Sequence, residues 1–268
     1  MRDELPLAHN TSIITGASSG IGWALAQQLA HRGHTLYLLA RREAPLLACL
    51  ETLQQRYPKG NFHVLPGDLI DPRQRHGVLT RLRTAIGTSS VDAIIHCAGT
   101  GLPAANLADW HPDDLSDALQ LNTVVPLALV NMLLPCMTPL PVPCRIVLVG
   151  AGIDRHVQRG TGSYGVSKMA MRRLFEQLHE ELTSQPAEIA LMQPGVVDTP
   201  GLRQHIRTAR AMKLPHADYL QTQLDTGQAF SAETVGERLA TLLDVSTSQA
   251  SFSGREWRTA EIYSNEGG

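Results

Sequence analysis

The chain has 268 residues, 43% of them hydrophobic and 18% charged, and its 23 basic and 25 acidic side chains give a formal net charge of −2. This length is sufficient for one sizeable core, and the composition is typical of a globular protein. The charge balance provides no basic surface for nucleic acid or for an anionic membrane. Length, composition and charge therefore predict a globular protein without a nucleic-acid or membrane partner.

The cysteines and histidines form no pattern that indicates a cross-linked or metal-binding protein. Cys49, Cys97, Cys136 and Cys144 lack C-x-x-C spacing, and no signal-peptide pattern precedes the first predicted strand. We therefore expect free thiols in a reduced, cytoplasmic compartment. The eleven histidines do not cluster with cysteines or carboxylates, so we predict no metal site. The apolar stretch Val124–Met137 is too short to span a bilayer, and we interpret it as a core helix.

Short apolar segments alternate with helical patterns along the chain. Predicted strands lie at Ser12–Thr15, Thr35–Ala40, Phe62–Leu65, Ala93–Cys97, Arg145–Val149, Glu188–Met192 and Arg258–Tyr263. Predicted helices occupy residues 21–32, 43–57, 72–86, 112–136, 163–184 and 231–243. The strands are apolar on both faces, as in parallel sheets covered by helices, and the alternation builds right-handed βαβ units. We predict one α/β domain over residues 1–268, a Rossmann-type doubly wound parallel sheet flanked by helices, with a surface loop at Ser246–Ser253.

A glycine-rich turn over Thr15–Gly22 follows the first predicted strand and opens the first helix. Glycine permits a tight turn and a close approach to a pyrophosphate, and the helix N-terminus offers unpaired N–H groups to the phosphates. The spacing is G-x-x-x-G-x-G instead of the general dinucleotide fingerprint, and a purely structural turn is the alternative. The predicted cofactor-binding residues of this turn are Gly16, Ser18, Ser19, Gly20, Ile21 and Gly22.

The end of the second strand indicates which cofactor is bound. An acidic residue about twenty positions after the glycines would bind the ribose 2′-hydroxyl of NAD. Ala40 occupies this place, and Arg41 and Arg42 follow it. Guanidinium groups are permanently charged and bind a 2′-phosphate in a bidentate manner. The sequence therefore favours NADP, with NAD as the other cofactor and two solvated arginines as the alternative interpretation.

Further motifs, in the same order and spacing, resemble the short-chain dehydrogenase/reductase family over nearly the whole chain. His96–Gly99 resembles the family's N-N-A-G segment with both asparagines replaced, and Asn122 falls at its helix asparagine. Tyr164–Lys168 matches the Y-x-x-x-K signature, and Pro194–Thr199 matches a segment similar to the sepiapterin and benzil reductase branch. Beyond the glycine turn, the resemblance implies cofactor contacts from Asp68, Leu69, Ala98, Gly99, Tyr164, Lys168, Pro194, Gly195, Val197 and Thr199.

The tyrosine and the lysine are the predicted proton-transfer pair. Tyr164 and Lys168 are four residues apart, which places them on one face of a helix, about 6 Å apart at Cβ. The pKa of a free phenol is near 10, and we expect the ammonium of Lys168 to lower it. Tyr164 then exchanges a proton with a carbonyl or alcohol oxygen while a nicotinamide carries the hydride. A chance Y-x-x-x-K on a surface helix is the alternative.

Asn122 is the third predicted catalytic residue. Pro126, four residues later, has no N–H, so the Asn122 carbonyl loses its usual helical donor. We expect this acceptor to hold a water that links Lys168 to solvent, the relay that the family resemblance implies. An asparagine that only faces a polar neighbour is the alternative.

One position departs from the family. The serine that usually lies thirteen positions before the tyrosine, where it polarises the substrate carbonyl, is Ala151 here. Loss of such a donor costs about a hundredfold to a thousandfold in rate. Thr161, Ser163 and His156 are the residues that could replace it; a slow enzyme, or a nucleotide-binding protein without turnover, are the alternatives.

The sequence therefore predicts an NADPH-dependent oxidoreductase that reduces a small ketone or diketone, or oxidises the alcohol. Ala151 favours the alternative of a pseudoenzyme that senses NADP, whereas an epimerase or dehydratase would need more than the seventy or so residues after Thr199. Residues 200–228 are predicted to form a substrate lid, whose basic side chains we interpret as a solvated helix face. The apolar helix 112–136 and the helix with Tyr164 predict a homodimer or homotetramer.

Overall fold

The computed structural model describes residues 10–137, 143–244 and 252–262. Its strands are β1 (Thr11–Thr15), β2 (Thr35–Ala40), β3 (Phe62–Pro66), β4 (Ala93–His96), β5 (Cys144–Val149), β6 (Ala187–Gln193), β7 (Val197–Asp198), β8 (Phe230–Ser231) and β9 (Glu256–Arg258). Its helices are α1 (Gly20–His31), α2 (Glu43–Arg56), α3 (Pro72–Ile86), α4 (Pro112–Leu119), α5 (Val125–Leu133), α6 (Gly162–Glu181), α7 (Pro200–Ala211), α8 (His216–Asp225) and α9 (Ala232–Leu242).

The main sheet contains seven parallel strands in the order β3-β2-β1-β4-β5-β6-β9, and β7 pairs with β8 separately. In β1, Ile14 lies opposite Leu38 of β2 on one side and Ile95 of β4 on the other. The strand order reverses between β1 and β4, and such a switch point opens a crevice at the carboxyl ends of the strands. The predicted doubly wound α/β fold is thus confirmed.

The core lies on both faces of this sheet, as the apolar strands predict. Ile13 and Ile14 are both completely buried, and because successive side chains of a strand alternate they belong to different hydrophobic clusters. On one face α9 packs closely on α1: a Cβ added at Gly236 would lie 2.7 Å from the backbone nitrogen of Leu25. The other face is covered by α3, α5 and α6.

The predicted helix 112–136 is interrupted. A π turn over Gln120–Val124 separates α4 from α5, and in it the Val125 N–H donates to the carbonyl of Gln120, five residues back. Pro126 has no N–H to offer, either to Asn122 in an α-helical pattern or to Leu121 in the π pattern. The proline therefore interrupts the hydrogen-bond ladder at the predicted catalytic asparagine.

By length and composition alone, the 25-residue stretch Pro112–Cys136 is long and apolar enough to cross a membrane. Val125, Leu129 and Leu133 of this stretch are completely buried in the core. We interpret it as a core helix because these side chains pack against the sheet and against α6.

The last strand was predicted at Arg258–Tyr263, and this placement is wrong. The strand is β9, which begins two residues earlier because Trp257 lies opposite Met192 of β6. A 3₁₀ turn follows at Thr259–Glu261, where the Thr259 hydroxyl donates to the Pro194 carbonyl and redirects the chain. Tyr263 and most of the predicted loop Ser246–Ser253 lie outside the described residues.

Candidate active site

The predicted site residues lie at the carboxyl edge of the main sheet. Each strand from β1 to β6 is followed by one of the predicted motifs, and parallel strands end at a common edge. In chain order these motifs are the glycine turn, Arg41 and Arg42, Asp68 and Leu69, Ala98 and Gly99, Ala151, and Pro194–Thr199. The site therefore lies across the switch point between β1 and β4.

The glycine turn has the geometry of a phosphate cradle. Gly16 has φ +68°, and a Cβ there would lie 2.8 Å from the backbone nitrogen of Ala98. A Cβ at Gly22 would lie 2.5 Å from the carbonyl oxygen of Gly16. The N-cap Ser19 makes no side-chain hydrogen bond to the first turn of α1, so the N–H groups there lack a capping side chain. These features fit a dinucleotide pyrophosphate at the N-terminus of α1.

The residues predicted at the adenosine end differ in exposure. Arg41 and Arg42 are exposed directly after β2, with no ion-pair partner in the part of the chain that the structure describes. Asp68 is half-buried, and its Oδ1 accepts a hydrogen bond from the Ile70 N–H at 2.9 Å. The Leu69 side chain is buried in the core, so this residue offers only its backbone to a ligand.

Tyr164 and Lys168 lie together on α6, as predicted. The Lys168 side chain is 4% exposed, and its Nζ donates to the Val149 carbonyl at 2.8 Å and lies 5.8 Å from the centroid of the Tyr164 ring. Burial lowers the pKa of Lys168 to about 8. The lysine is thus held beside the phenol ring and close to the end of β5.

The predicted lowering of the Tyr164 pKa is wrong. Burial, and secondarily the carboxylate of Asp154, raise the pKa of Tyr164 to about 12. Withdrawal of the phenol from water and a nearby negative charge both disfavour the phenolate. Tyr164 is therefore a neutral acid with a proton to donate.

Asn122 is fixed by its side chain. Its Nδ2 donates to Ser167 Oγ at 2.8 Å, and the Ser167 hydroxyl in turn donates to the Tyr164 carbonyl at 2.9 Å. The Oδ1 of Asn122 is buried and, among the described groups, has no hydrogen-bond partner. A Cβ at Gly99 would lie 3.0 Å from this oxygen. The π turn replaces the straight helix that would contradict a water relay through the Asn122 carbonyl, and the relay itself stays a prediction.

The segment after β6 has a structural role of its own. Gly195 has φ +75° and packs on the Phe230 ring, and Val197 is buried. Thr199 caps α7, because its Oγ1 accepts a hydrogen bond from the Leu202 N–H at 3.1 Å. Its methyl group lies 3.1 Å from a Cβ placed at Gly20. The contact of Thr199 with a carboxamide stays a prediction.

Residues 10–210 match the family model described as short chain dehydrogenase. The chain belongs to this family. It is accordingly an oxidoreductase, and the family resemblance predicted from the motifs is confirmed.

Several relatives of this dehydrogenase are known. A benzil reductase, (S)-benzoin forming, from Bacillus cereus is 27% identical over 87% of this chain and 93% of its own length. The rhamnolipid-biosynthesis 3-oxoacyl-[acyl-carrier-protein] reductase of Pseudomonas aeruginosa is 28% identical over 73% of this chain and 75% of its own. The structure of the L-sorbose reductase of Gluconobacter frateurii, solved with NADPH and L-sorbose, superposes with a TM-score of 0.79 at 20% identity, covering 95% of this chain and 97% of that one.

The dehydrogenase has no evident replacement for the serine lost at Ala151. The Thr161 hydroxyl donates to the Gln158 carbonyl at 2.9 Å, and Ser163 Oγ accepts a hydrogen bond from the Trp110 indole. His156 is exposed. The Thr161 donor is therefore used within its own loop, whereas Ser163 keeps its hydroxyl hydrogen and no described contact engages the His156 ring.

The loop that carries Ala151 is anchored by a buried carboxylate, Asp154, which no sequence motif indicates. Asp154 is 2% exposed, and its Oδ2 accepts from Arg172 Nε at 2.9 Å and from Gln193 Nε2 at 2.8 Å. Arg172 also reaches Glu256 of β9 at 2.8 Å. This network joins the loop to α6, β6 and β9, and it places the negative charge that raises the pKa of Tyr164.

His96, which replaces the first asparagine of N-N-A-G, is a buried neutral base. Thr15 Oγ1 accepts from the Ala98 N–H at 3.1 Å and shares a hydrogen bond of 2.9 Å with His96 Nδ1, in which either group can be the donor. Burial, and then the charge of Lys168, lower the pKa of His96 to about 3, whereas the nearby Leu121 carbonyl opposes the shift. His96 therefore joins the glycine turn to the π turn.

The burial of His96 has a consequence for stability. Because its pKa falls from 6.5 to about 3 on folding, the unfolded chain binds more protons below pH 6.5. We expect this group alone to reduce the free energy of unfolding by up to about 1.4 kcal/mol for each pH unit between those values. Urea unfolding at pH 7.5, 6 and 5 should therefore show a smaller acid loss for His96→Asn than for the wild type. The exposed His111, changed to Asn, is the control, and equal losses for wild type and His96→Asn would contradict the assignment.

Across the described residues, no group of three or more His, Cys, Asp or Glu side chains is placed to hold a metal ion. All four cysteines are free thiols. Cys97 directly follows β4 in the candidate site, and burial raises the pKa of its thiol to about 12. It is therefore a poor nucleophile at neutral pH.

Proposed function

We propose that this short-chain dehydrogenase reduces a small ketone or diketone with NADPH, and that Tyr164 donates the proton to the carbonyl oxygen. The observation that carries the proposal is the placement of the Tyr164 phenol beside the buried ammonium of Lys168 at the carboxyl edge of the sheet, with Nζ 5.8 Å from the ring centroid. Burial raises the pKa of Tyr164 to about 12, so the phenol is protonated at neutral pH. A protonated phenol serves reduction directly, whereas oxidation of an alcohol first requires its ionisation. The similarity to two benzil reductases supports a diketone, since benzil carries adjacent carbonyl groups.

Different residues of the chain have different roles in this reaction. The glycine turn and the N-terminus of α1 would hold the pyrophosphate, and the loops after β4 and β6 would contact the nicotinamide half of the cofactor. A bound nicotinamide supplies the hydride. Tyr164 gives up its proton as the carbonyl oxygen gains charge, and Lys168, whose pKa of about 8 lies close to neutrality, returns it. Asn122 holds the π turn against α6 through Ser167 at 2.8 Å.

Tyr164→Phe removes the proton donor and should lower kcat for a 1,2-diketone by at least about a hundredfold, with NADPH binding retained. Ala151→Ser restores the polarising hydroxyl and should raise kcat. NADPH oxidation is followed by absorbance with aldehydes, ketones and 1,2-diketones, and Tyr57→Phe is the matched control. If neither the wild type nor Ala151→Ser turns over any of these compounds while NADPH still binds, the chain is the NADP sensor that Ala151 favours.

The preference for NADP over NAD rests on the arginines after β2. Arg41 and Arg42 are exposed, directly beyond the last residue of the strand, where a 2′-phosphate would bind. Relatives in structure that were solved with NADP or NADPH support this cofactor. The proposal is specific for the phosphate, since the remainder of the cradle fits NAD equally well.

The double substitution Arg41→Ala and Arg42→Ala removes two charge-assisted hydrogen-bond donors and should raise the Kd of NADPH about tenfold or more, with the Kd of NADH unchanged. Fluorescence titration of both cofactors measures this difference. Arg56→Ala, an exposed arginine at the other end of α2, is the control. Equal weakening of NADPH and NADH would refute the 2′-phosphate role.

We also propose that the protein is a homodimer or homotetramer that pairs through α5 and α6. Both helices expose apolar side chains, Leu127 at 37%, Val166 at 44% and Met169 at 59%. Exposed apolar clusters of this kind are typical of association surfaces. In light scattering, Leu127→Glu with Met169→Glu should lower the molar mass to that of a monomer, whereas Leu107→Glu, at 84% exposure in the 3₁₀ turn before α4, should not. An oligomer that survives the double substitution would exclude this surface.

A further inference from the structure

Two buried histidines join the helices after β7 to the loop after β4. We call α7, α8 and the turn between them the lid segment (residues 200–225). His205 Nδ1 lies 2.9 Å from the Gly101 carbonyl, and His205 Nε2 lies 2.9 Å from His216 Nε2. The side chains are 8% and 2% exposed, and the ring centroids are 5.1 Å apart. Neither histidine belongs to the predicted catalytic or cofactor set.

Gly101 places this pair next to the catalytic tyrosine. A Cβ added at Gly101 would lie 3.5 Å from His205 Nδ1 and 3.8 Å from Tyr164 Cδ1. The Gly101 backbone therefore fills the space between the lid histidine and the Tyr164 ring. A hydrogen bond to its carbonyl sets how far the wall of the site lies from the phenol.

Proton counting fixes the state of the two rings. The Gly101 carbonyl only accepts, so His205 Nδ1 carries a hydrogen, and in a neutral pair His205 Nε2 accepts the hydrogen of His216 Nε2. His216 Nδ1 is then bare, and among the described groups it has no hydrogen-bond partner. The pair can add one proton there, close to the Arg159 carbonyl. A second added proton would place hydrogens on both Nε2 atoms, which face each other, and would break the contact between the rings.

The surroundings favour the neutral pair. Burial lowers the pKa of both histidines, and His216 lowers that of His205 further. The charged neighbours are engaged elsewhere: Arg210 of α7 pairs with Asp218 of α8 at 3.5 Å, and Arg159 Nε donates to Asn106 at 3.2 Å. Tyr164 is the neutral group on the α6 side, the loop 100–106 has no titratable side chain, and the other cationic residues of the lid segment are exposed, namely Arg203, Arg207 and Lys213.

We propose that His205 and His216 are positioning residues for the substrate site, which hold the lid segment against the Gly101 wall beside Tyr164. This inference rests on the proposed reductase function, because it assumes a substrate carbonyl beside Tyr164, and it is supported by the contacts of the two histidines. A positioned wall brings the substrate carbonyl within reach of the phenol, and a small displacement there costs rate even though the chemical groups are intact. The neutral pair makes both of the hydrogen bonds that hold this wall.

The pair also gives the site a direction of pH dependence. Both pKa values are lowered from 6.5 when the pair is formed, so protonation favours the separated histidines. The contact is fully present above the pKa of the free histidines and is lost as the pH falls through the lower values of the joined pair. We therefore expect the substrate KM of the wild type to rise as the pH falls below about 6.5, with little change in NADPH affinity.

Substitutions at the two positions separate a positioning role from a purely structural one. His205→Ala should raise the substrate KM about tenfold or more, because it leaves the buried Gly101 carbonyl without its donor. His205→Asn places an amide N–H near the former Nδ1 and should recover most of this loss. His216→Gln offers an amide that donates to His205 and, once flipped, accepts from it, so its KM should vary less between pH 7.5 and 5.5 than that of the wild type.

Amide hydrogen exchange of the lid segment in the NADPH-bound enzyme provides a readout that does not depend on turnover. At one pH, exchange over residues 200–225 should be faster in His205→Ala than in the wild type and in Arg210→Gln, the surface control. Wild-type exchange and KM in His205→Ala, or an unchanged acid rise of KM in His216→Gln, would overturn the proposal. If the wild type reduces no carbonyl compound, the proposed function fails, and the exchange comparison still decides whether the pair holds the lid segment.

Discussion

The close approach of the glycine turn to the end of β4 is the constraint on which the site depends. Gly16 lies so near Ala98 that a single Cβ would approach its nitrogen to 2.8 Å, and Thr15 joins the same place to His96 by a hydrogen bond of 2.9 Å. The ends of β1 and β4, which flank the switch point, are thus in direct contact. From there His96 reaches towards the π turn, and the π turn carries Asn122 to α6. The positions of Tyr164 and Lys168 on α6 thus depend on contacts that begin at the ends of β1 and β4.

Burial, more than the charge of the lysine, sets the chemistry of Tyr164. A phenol in water would be only slightly perturbed by an ammonium group several ångströms from its ring, whereas removal from water disfavours the phenolate strongly. Asp154 acts in the same direction, and it is held in place by Arg172 and Gln193. The free protein therefore keeps the proton on Tyr164, ready for a carbonyl. The same buried environment lowers the pKa of Lys168 to about 8, so proton return from the lysine is not strongly uphill near neutral pH.

Local patterns were sufficient to predict most of the architecture and the motifs. The parallel strands followed from their two-sided apolar pattern, and the loss of a helical donor to the Asn122 carbonyl followed from Pro126. The break of the predicted helix 112–136 by a π turn did not. Contacts between distant segments had no such signal: Asp154 meets Gln193 across 39 positions, and His205 meets the Gly101 carbonyl across 104. The predicted direction of the Tyr164 pKa shift was wrong for a related reason, since spacing along a helix indicates a neighbouring charge and does not indicate burial. The last strand was misplaced because its bounds depend on pairing with β6, a tertiary contact.

The absence of a serine at position 151 changes what the rest of the site must supply. A polarising hydroxyl lowers the barrier by stabilising charge on the carbonyl oxygen, and the described contacts place no other hydroxyl in that role. With one donor left, the rate depends on how closely that donor and the carbonyl are held in line, because proximity and orientation are the remaining sources of acceleration. The two features that fix this geometry are the network of Asp154 beneath Ala151 and the histidine pair behind Gly101. Both are buried: the Asp154 carboxylate raises the pKa of Tyr164, and the histidine pair contacts the Gly101 carbonyl beside the phenol. Under the proposed mechanism, these two polar clusters would hold the geometry that a single proton donor requires.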